Sequence, residues 1–206
     1  MSPRPYRLGQ RQKATEQTRA RILTAARELL LTNNTFSGFS IDAVARQADV
    51  ARMTVYHKFG SKIGLLEALS DSLAAHGGME QLANAFRQSD PLEALDEFIT
   101  VFSRFWQSDR LVTRRLRALS ALDPDFEKVV KARDERRRQG LHVILMRSAE
   151  KYGKPAPDEI DEIVNILFTL LSFETLDTLA GSSRSIEEVS PLIQRLARTA
   201  IELDGG

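Results

Sequence analysis

The sequence contains no cysteine and has only three histidines among its 206 residues. Disulfides, thiolate metal sites and cysteine nucleophiles are therefore excluded, and a reducing compartment is allowed. The histidines, His57, His76 and His142, show no metal-ligand spacing, and no glycine-rich phosphate loop or nucleophile elbow is present. We therefore expect neither an enzyme nor a protein that needs a metal or cofactor.

Long hydrophobic runs are also missing. The longest, residues 163–173, is about half of what a bilayer crossing needs, and it includes Asn165, Thr169 and Ser172. Residues 1–12 carry arginines and prolines instead of the apolar run of a signal peptide. We expect a cytoplasmic protein with no membrane partner and a buried helix at residues 163–173.

The net charge of +1 conceals a division of sign along the chain. Residues 1–62 carry eleven lysines and arginines against four acidic residues, which gives +7, and the remainder carries −6. A basic head on an acidic body is typical of a protein that binds a polyanion, because neutralised phosphates release counterions. A basic tail without any partner is the alternative that charge alone leaves open.

The apolar residues recur at helical spacing, and no alternating strand pattern with hairpin signals is present. The sequence therefore predicts an all-α protein. Its first helix is expected from Glu16 to Leu31, with Thr15 as its N-cap. Beyond the glycine pair Gly77-Gly78, helices are predicted at residues 91–107, 111–121, 125–152, 158–179 and 186–203.

Between these regions, two short helices joined by a tight turn are predicted. Ser40 is a good N-cap for the first helix, Asp49 and Val50 form the turn, and Gly60 ends the second helix before Ser61 caps the next. The inward residues of the first helix are Ile41, Val44, Ala45 and Ala48. This arrangement is a helix-turn-helix. Hydrogen-bond donors and aromatic edges crowd the outward face of its second helix, at Arg52, Met53, Thr54, Tyr56, His57 and Lys58.

The stretch AVARQADVARMTVYHKFGSK, residues 43–62, closely resembles the DNA-binding signature of the tetracycline-repressor (TetR) family. Its most specific part is the pattern Thr-x-Tyr-x-x-Phe-x-x-Lys-x-x-Leu-Leu, which begins at Thr54. Two positions depart from the family. Asp49 stands where glycine is usual, although aspartate tolerates a positive φ better than most residues. Ala51 stands where serine or a similar residue is usual, so a hydroxyl that could cap or contact is lost.

The resemblance implies a regulator of transcription that binds a palindromic operator in double-stranded DNA as a homodimer and is released by a small-molecule effector, as a repressor. Carried over position by position, it makes Ser40, Thr54, Tyr56 and Lys62 contacts to phosphate. Arg52, Met53 and His57 become candidate base readers, and Lys58 belongs to the same DNA-binding face.

Each of these residues also has a purely structural interpretation. Tyr56 could be a half-buried packing aromatic, and His57 and Lys62 could be solvated surface residues. The basic residues at the N-terminus, Arg4, Arg7 and Arg11, could enter a minor groove or form a solvated tail.

The predicted domains are a DNA-binding domain at residues 1–62, a connecting helix at 61–76, and an effector-binding and dimerisation domain at 77–206. By resemblance, an aromatic stripe in the last domain lines a mainly apolar pocket, although ordinary core is the alternative. The predicted pocket residues are Phe98, Phe102, Phe105, Trp106, Leu141, Leu170 and Glu174. Glu174 is expected to point inward, where a cationic ligand, Arg136 or Arg137, or a contact across the dimer would balance its charge; a position at the wet rim is the alternative.

The last two predicted helices carry more apolar surface than a terminal hairpin needs to bury alone. In TetR-like proteins such a pair forms a four-helix dimer interface. The residues assigned to this interface are Leu167, Leu171, Leu176, Leu179, Leu192, Ile193, Leu196 and Ala200. An architectural DNA-binding protein without an effector is the main competing interpretation, and a small-molecule enzyme is a more distant one.

Overall fold

A computed structural model describes residues 4–32 and 38–202, with side chains from residue 12 onward. These residues form helices and no strands, so the all-α prediction is confirmed. The helices are α1 (Arg4–Thr32), α2 (Ile41–Gln47), α3 (Arg52–Phe59), α4 (Lys62–His76), α5 (Leu82–Arg87), α6 (Pro91–Ser108), α7 (Arg110–Ser120), α8 (Pro124–Tyr152), α9 (Ile160–Leu170), α10 (Phe173–Ala180) and α11 (Ile186–Ile201). A 3₁₀ turn at Met79–Gln81 precedes α5.

Two of the predicted helices differ from those observed. The first helix already runs through Thr15, so Thr15 is not its N-cap; residues 10–16 contain no glycine or proline that would stop a helix. The helix expected at 158–179 is divided into α9 and α10, because the Ser172 hydroxyl caps α10 by accepting a hydrogen bond from the Thr175 amide at 3.2 Å. The short helix α5 was not predicted.

A first hydrophobic core joins α1 to α4 with α7 and the start of α8. Its fully buried residues include Ile22, Val44, Val55, Leu65, Leu66, Val112 and Phe126. The last two of these come from α7 and α8, so the first four helices do not close a core by themselves. The helix-turn-helix therefore rests directly on the body of the protein.

A second core lies among α6, α8, α9, α10 and α11, with Phe98, Leu141, Leu167 and Ile193 at its centre. The helices α6 and α8 approach closely at Gly140, where an added Cβ would lie only 2.9 Å from Cε2 of Phe98. A side chain at this position would require the buried Phe98 ring to move.

The helix α4 contributes to both regions of the protein. Its first half places Leu65 and Leu66 in the first core. Its C-terminal end abuts α6, since a Cβ at Gly77 would lie 2.8 Å from the Cα of Phe105. Phe105 itself packs against both cores. A displacement of α6 or α8 next to α4 would therefore reach the helix-turn-helix.

Across the described ranges, no single helix is both long and apolar enough to cross a membrane. The helices α9 and α10 meet these criteria only together, as a pair bent by 48°.

Replacing Phe126 with alanine tests how firmly the first core depends on α8. The ring is fully buried, so Phe126→Ala should lower the free energy of unfolding by about 3 to 5 kcal/mol. Urea denaturation followed by far-ultraviolet circular dichroism measures this change. Leu122→Ala is the matched control, because Leu122 is 68% exposed and its loss should cost less than about 0.5 kcal/mol. Equal effects of the two substitutions would contradict the packing of α8 in this core.

Candidate functional site

The helix-turn-helix is built by local capping and by one strained residue. Ser40 caps α2, its hydroxyl accepting a hydrogen bond from the Ala43 amide at 3.2 Å. Asp49 follows α2 with a φ of 51°, the left-handed conformation that the turn requires. The helix α3 has no side-chain cap at Ala51, the position where a hydroxyl was missing, whereas Ser61 caps α4. These features fix α3 across the end of α2.

The face of α3 opposite the buried Val55 is open to solvent. Met53 is 60% exposed, the Arg52 side chain is 57% exposed, and His57 is also exposed. Thr54, Tyr56 and Lys58 are partly buried along its edges. The exposed Met53 side chain leaves an apolar contact available beside polar ones.

Arg52 is held over Tyr56 by interactions within the chain. Its Nη2 donates to the Tyr56 hydroxyl at 3.2 Å, and its Nη1 lies 3.3 Å from Oδ1 of Asp42. The bond to Tyr56 and the charge of Asp42 raise the pKa of Arg52 above its usual value. All three side chains are at the surface, so these contacts are exchangeable for contacts to another molecule.

Two predicted contact residues flank α3. Ser40 uses its hydroxyl as the N-cap of α2, and Lys62 opens α4 with its Nζ 3.5 Å from Oδ2 of Asp123. The structure thus gathers the eight residues predicted to bind DNA on α3 and at the starts of its neighbouring helices. The side chains of Arg4, Arg7 and Arg11 lie outside the part of the chain whose side chains the structure describes.

A cavity of about 290 Å³ lies between α4, α6, α7 and α8. Of the residues predicted to line a pocket, Phe102, Phe105 and Trp106 do so. The other apolar lining residues were not predicted to line a pocket: Leu73, Ala74, Met79, Leu82, Leu116, Phe126 and Val130. Among the described residues, no three histidine, aspartate or glutamate side chains come together as a metal site.

The other four predicted pocket residues do not line this cavity. Phe98 and Leu141 are fully buried in the second core, and Leu170 is partly exposed elsewhere. The expectation that Glu174 points inward is wrong: its side chain is 56% exposed and its Oε1 accepts from Nε of Arg117 at 2.8 Å. The chain bends at Ser172, so the inward face of α9 does not continue to Glu174.

Sequence reasoning named Arg136 and Arg137 only as possible partners of Glu174, and it missed that four arginines line the cavity. Arg117, Arg133, Arg136 and Arg137 line it together with a single carboxylate, Asp134. Burial disfavours the charge of Arg117, but the bond to Glu174 and the charge of Asp134 outweigh this effect and raise its pKa. Burial dominates at Arg137 and lowers its pKa to about 10, which still leaves it charged at neutral pH.

Most residues assigned to a dimer interface are buried within one protomer. Leu167, Leu171, Leu176, Ile193 and Ala200 are at most 4% exposed and belong to the second core, so another chain cannot reach them on the surface. The remaining three are accessible: Leu179 and Leu192 are partly buried, and Leu196 is 40% exposed. The apolar side chains of the last helices are therefore buried mainly against α6 and α8 of the same chain.

Comparisons with known proteins agree with this fold. Residues 22–69 match the family model described as bacterial regulatory proteins, tetR family. No curated protein matches the chain.

Several solved structures are similar over nearly their whole length. A TetR-like transcriptional regulator from Rhodococcus sp. RHA1 has 21% identity and a TM-score of 0.69, covering 91% of this chain and 97% of its own. The TetR family transcriptional regulator PfmR from Thermus thermophilus has 20% identity and a TM-score of 0.65, and the match covers 89% of this chain and 99% of PfmR. A protein from Saccharomonospora viridis in complex with choline has 18% identity and a TM-score of 0.64, and the match covers 92% of this chain and 97% of that protein. Over about nine tenths of its length the chain has the fold of these proteins, and its residues 22–69 match the family of bacterial regulatory proteins described as tetR.

Proposed function

We propose that this chain is a repressor of transcription that binds a palindromic operator in double-stranded DNA as a homodimer and is released by a small molecule. The observation that carries the proposal is the position of α4. This helix begins at Lys62 beside the helix-turn-helix, and its second half lines the cavity through Ser70, Leu73 and Ala74. A ligand that favours one position of Leu73 and Ala74 would bias the position of α3, which is a coupling between two distinct sites.

The contact with DNA is assigned to the exposed face of α3. A helix of this kind fits the major groove, where arginine can donate two hydrogen bonds to a guanine edge and methionine can meet a thymine methyl group. Arg52 and Met53 lie at the N-terminal end of α3, and His57 follows one turn later. The excess of basic residues in 1–62 supplies the attraction to phosphate that does not depend on sequence.

The contacts to phosphate are assigned to Ser40, Thr54, Tyr56 and Lys62. Tyr56 and Lys62 have partners in the free protein, Arg52 and Asp123 respectively. Both pairs lie at the surface and are partly accessible to solvent, so a phosphate oxygen could replace either partner at a modest cost. Lys58 stays within the same face as an additional basic residue.

The domain assignment follows from these roles. Residues 1–62 bind DNA, the helix from 61 to 76 connects, and residues 77–206 hold the effector and the dimer contact. An architectural DNA-binding protein without an effector is the second candidate, but it gives no reason for an apolar cavity lined with arginines. An enzyme is disfavoured because the cavity has no nucleophile paired with a base.

Arg52→Ala tests base reading. The substitution should weaken binding to a duplex selected from genomic fragments by about 1 to 3 kcal/mol and relax the choice of base, while binding to a scrambled duplex changes little. Fluorescence anisotropy titration of both duplexes measures the two affinities. Arg195→Ala, at an exposed position of α11, is the control and should match the wild type. An equal loss on both duplexes would assign Arg52 to phosphate instead.

Lys62→Ala tests the phosphate contact at the start of α4. We expect a similar loss of affinity for all duplexes and a salt dependence whose slope is flatter by about one unit, because one fewer counterion is released. Titrations at several salt concentrations give the slope. Lys131→Ala removes an equal charge from a 70% exposed side chain on α8 and should leave the slope unaltered. An unchanged slope for Lys62→Ala would contradict its role.

Leu196→Glu tests the dimer. Leu192 and Leu196 lie one turn apart on the face of α11 that is accessible to solvent. A charged side chain at Leu196 would be buried in an apolar contact between two chains, so it should prevent their association. Light scattering at micromolar concentration should show a dimer for the wild type and a monomer for the variant. Leu122→Glu, at a more exposed leucine, should stay dimeric. A monomeric wild type would exclude the homodimer, and a dimeric Leu196→Glu would place the interface elsewhere.

A further inference from the structure

Arg137 has an unused edge inside the cavity wall. Its side chain is only 2% exposed, yet Nε and Nη2 have no hydrogen-bond partner. Only Nη1 is engaged, donating to the carbonyl oxygen of Leu171 at 3.3 Å. Oδ1 of Asp134 lies 3.3 Å from Nη2 without the geometry of a hydrogen bond. A buried charged donor without an acceptor lowers the stability of the fold, so we expect this edge to bind an acceptor from outside the chain.

The guanidinium of Arg137 is also fixed in place before any ligand arrives. Its Cζ lies 4.3 Å from the ring centroid of Phe168, 5.6 Å from that of Trp106 and 5.7 Å from that of Phe102. Together with the bond to Leu171, these rings limit its rotation. A ligand that binds the unused edge therefore does not have to order a flexible side chain.

Arg137 shares its nearest anion with another arginine. Asp134, the carboxylate in the cavity wall, accepts from Nη1 of Arg117 through Oδ2 at 3.0 Å, and only its Oδ1 is near Arg137. Arg133 directs its Nη2 to Asp71 at 2.6 Å, and its Nε is buried without a partner. Two arginines of one wall thus present three nitrogen atoms without a hydrogen-bond partner, and the four arginines outnumber the carboxylates that pair with them.

Nε and Nη2 are the two adjacent donors along one side of a guanidinium, and they match the two oxygens of a carboxylate. The rest of the wall is apolar and aromatic, and a volume of about 290 Å³ admits one small molecule. We propose that the effector is an organic acid with an aromatic or aliphatic body, whose carboxylate binds the Nε–Nη2 edge of Arg137 beside Nε of Arg133. The inference rests on the effector role proposed above for this cavity.

The first experiment compares ligands that differ only in charge. Isothermal titration of the full-length wild type would use decanoate, decanamide and decylamine, and then naphthoate and naphthamide. Each acid should bind about tenfold or more tightly than its amide, because a charge-assisted pair of hydrogen bonds replaces a neutral one. The amine should bind more weakly than the amide, because the wall is positively charged.

The second experiment assigns the preference to Arg137. Arg137→Met keeps an apolar stem but removes the donors, so the preference for the acid over its amide should fall by most of its wild-type value, with Arg133 left as the remaining donor. Arg138→Met is the matched control: Arg138 is the next residue, also lies over Phe168, and does not line the cavity, so its loss should keep the preference. Urea denaturation verifies that both variants fold. If Arg137→Met does not fold, Arg137→Lys, which retains a charge without the fork, should show a reduced preference.

Several results would overturn the proposal: no binding of either acid at millimolar concentration, an amide or the amine binding as tightly as the acid, or an unchanged preference in the Arg137 variants. The regulatory function is judged separately, by anisotropy of the operator complex. An acid that binds selectively but leaves the operator bound would contradict the proposed function without affecting the anion site. Release of DNA by an uncharged ligand, with no binding of the acids, would support the proposed function and contradict the anion site.

Discussion

The packing of α4 against two regions at once is the constraint on which the rest of the structure depends. Leu65 and Leu66 are fully buried among the helices of the helix-turn-helix, whereas Leu73 and Ala74 face the cavity. Cores of this kind are close-packed and respond to a shift by repacking rather than by yielding gradually. A shift of one end of this 15-residue helix is readily passed to its other end. In the proposed function, the same packing that stabilises the fold would connect the cavity with the DNA-binding face.

A second constraint is the cost of burying Arg137. Burial lowers its pKa, and an apolar residue of similar volume at this position would commonly be as stable or more stable. Stability alone thus gives no reason for an arginine with two unpartnered donors between three aromatic rings. A negatively charged ligand would explain the arginine, because its oxygens would accept hydrogen bonds from the unpartnered donors. Its binding would also be favoured because the guanidinium has already been removed from water during folding.

The sequence was sufficient for the helix-turn-helix because every signal there is local. Ser40 and Ser61 act as caps, Asp49 takes the positive φ, and Gly60 ends α3, each through contacts within four residues. The body depends instead on contacts between distant helices, and periodicity does not say which partner a face will meet. For this reason Leu167 and Ile193, correctly expected to be buried, were assigned to another chain rather than to the second core.

The arginines of the cavity wall could not be located from sequence periodicity either. Arg117 and Arg133 are typical of solvated helix faces in sequence, and only the tertiary structure turns them toward a common space. Arg137 did carry a signal: it stands four residues before the buried Leu141 and seven before the buried Ile144, so it continues an inward stripe of α8. The neighbouring arginines, Arg136 and Arg138, concealed this periodicity because a run of three like charges usually marks a surface.

Arg133 adds an electrostatic connection to the packing of α4. Its Nη2 donates to the Asp71 carboxylate at 2.6 Å and lies 3.4 Å from the Glu67 carbonyl oxygen, both on α4. An anion that engages Nε of the same guanidinium would compete for its position with these two acceptors. The charge of a ligand would then act on α4 through Arg133, while its apolar body acts through Leu73 and Ala74. Two groups on one molecule would thus bias one helix, whereas an uncharged ligand of the same shape would act only through Leu73 and Ala74.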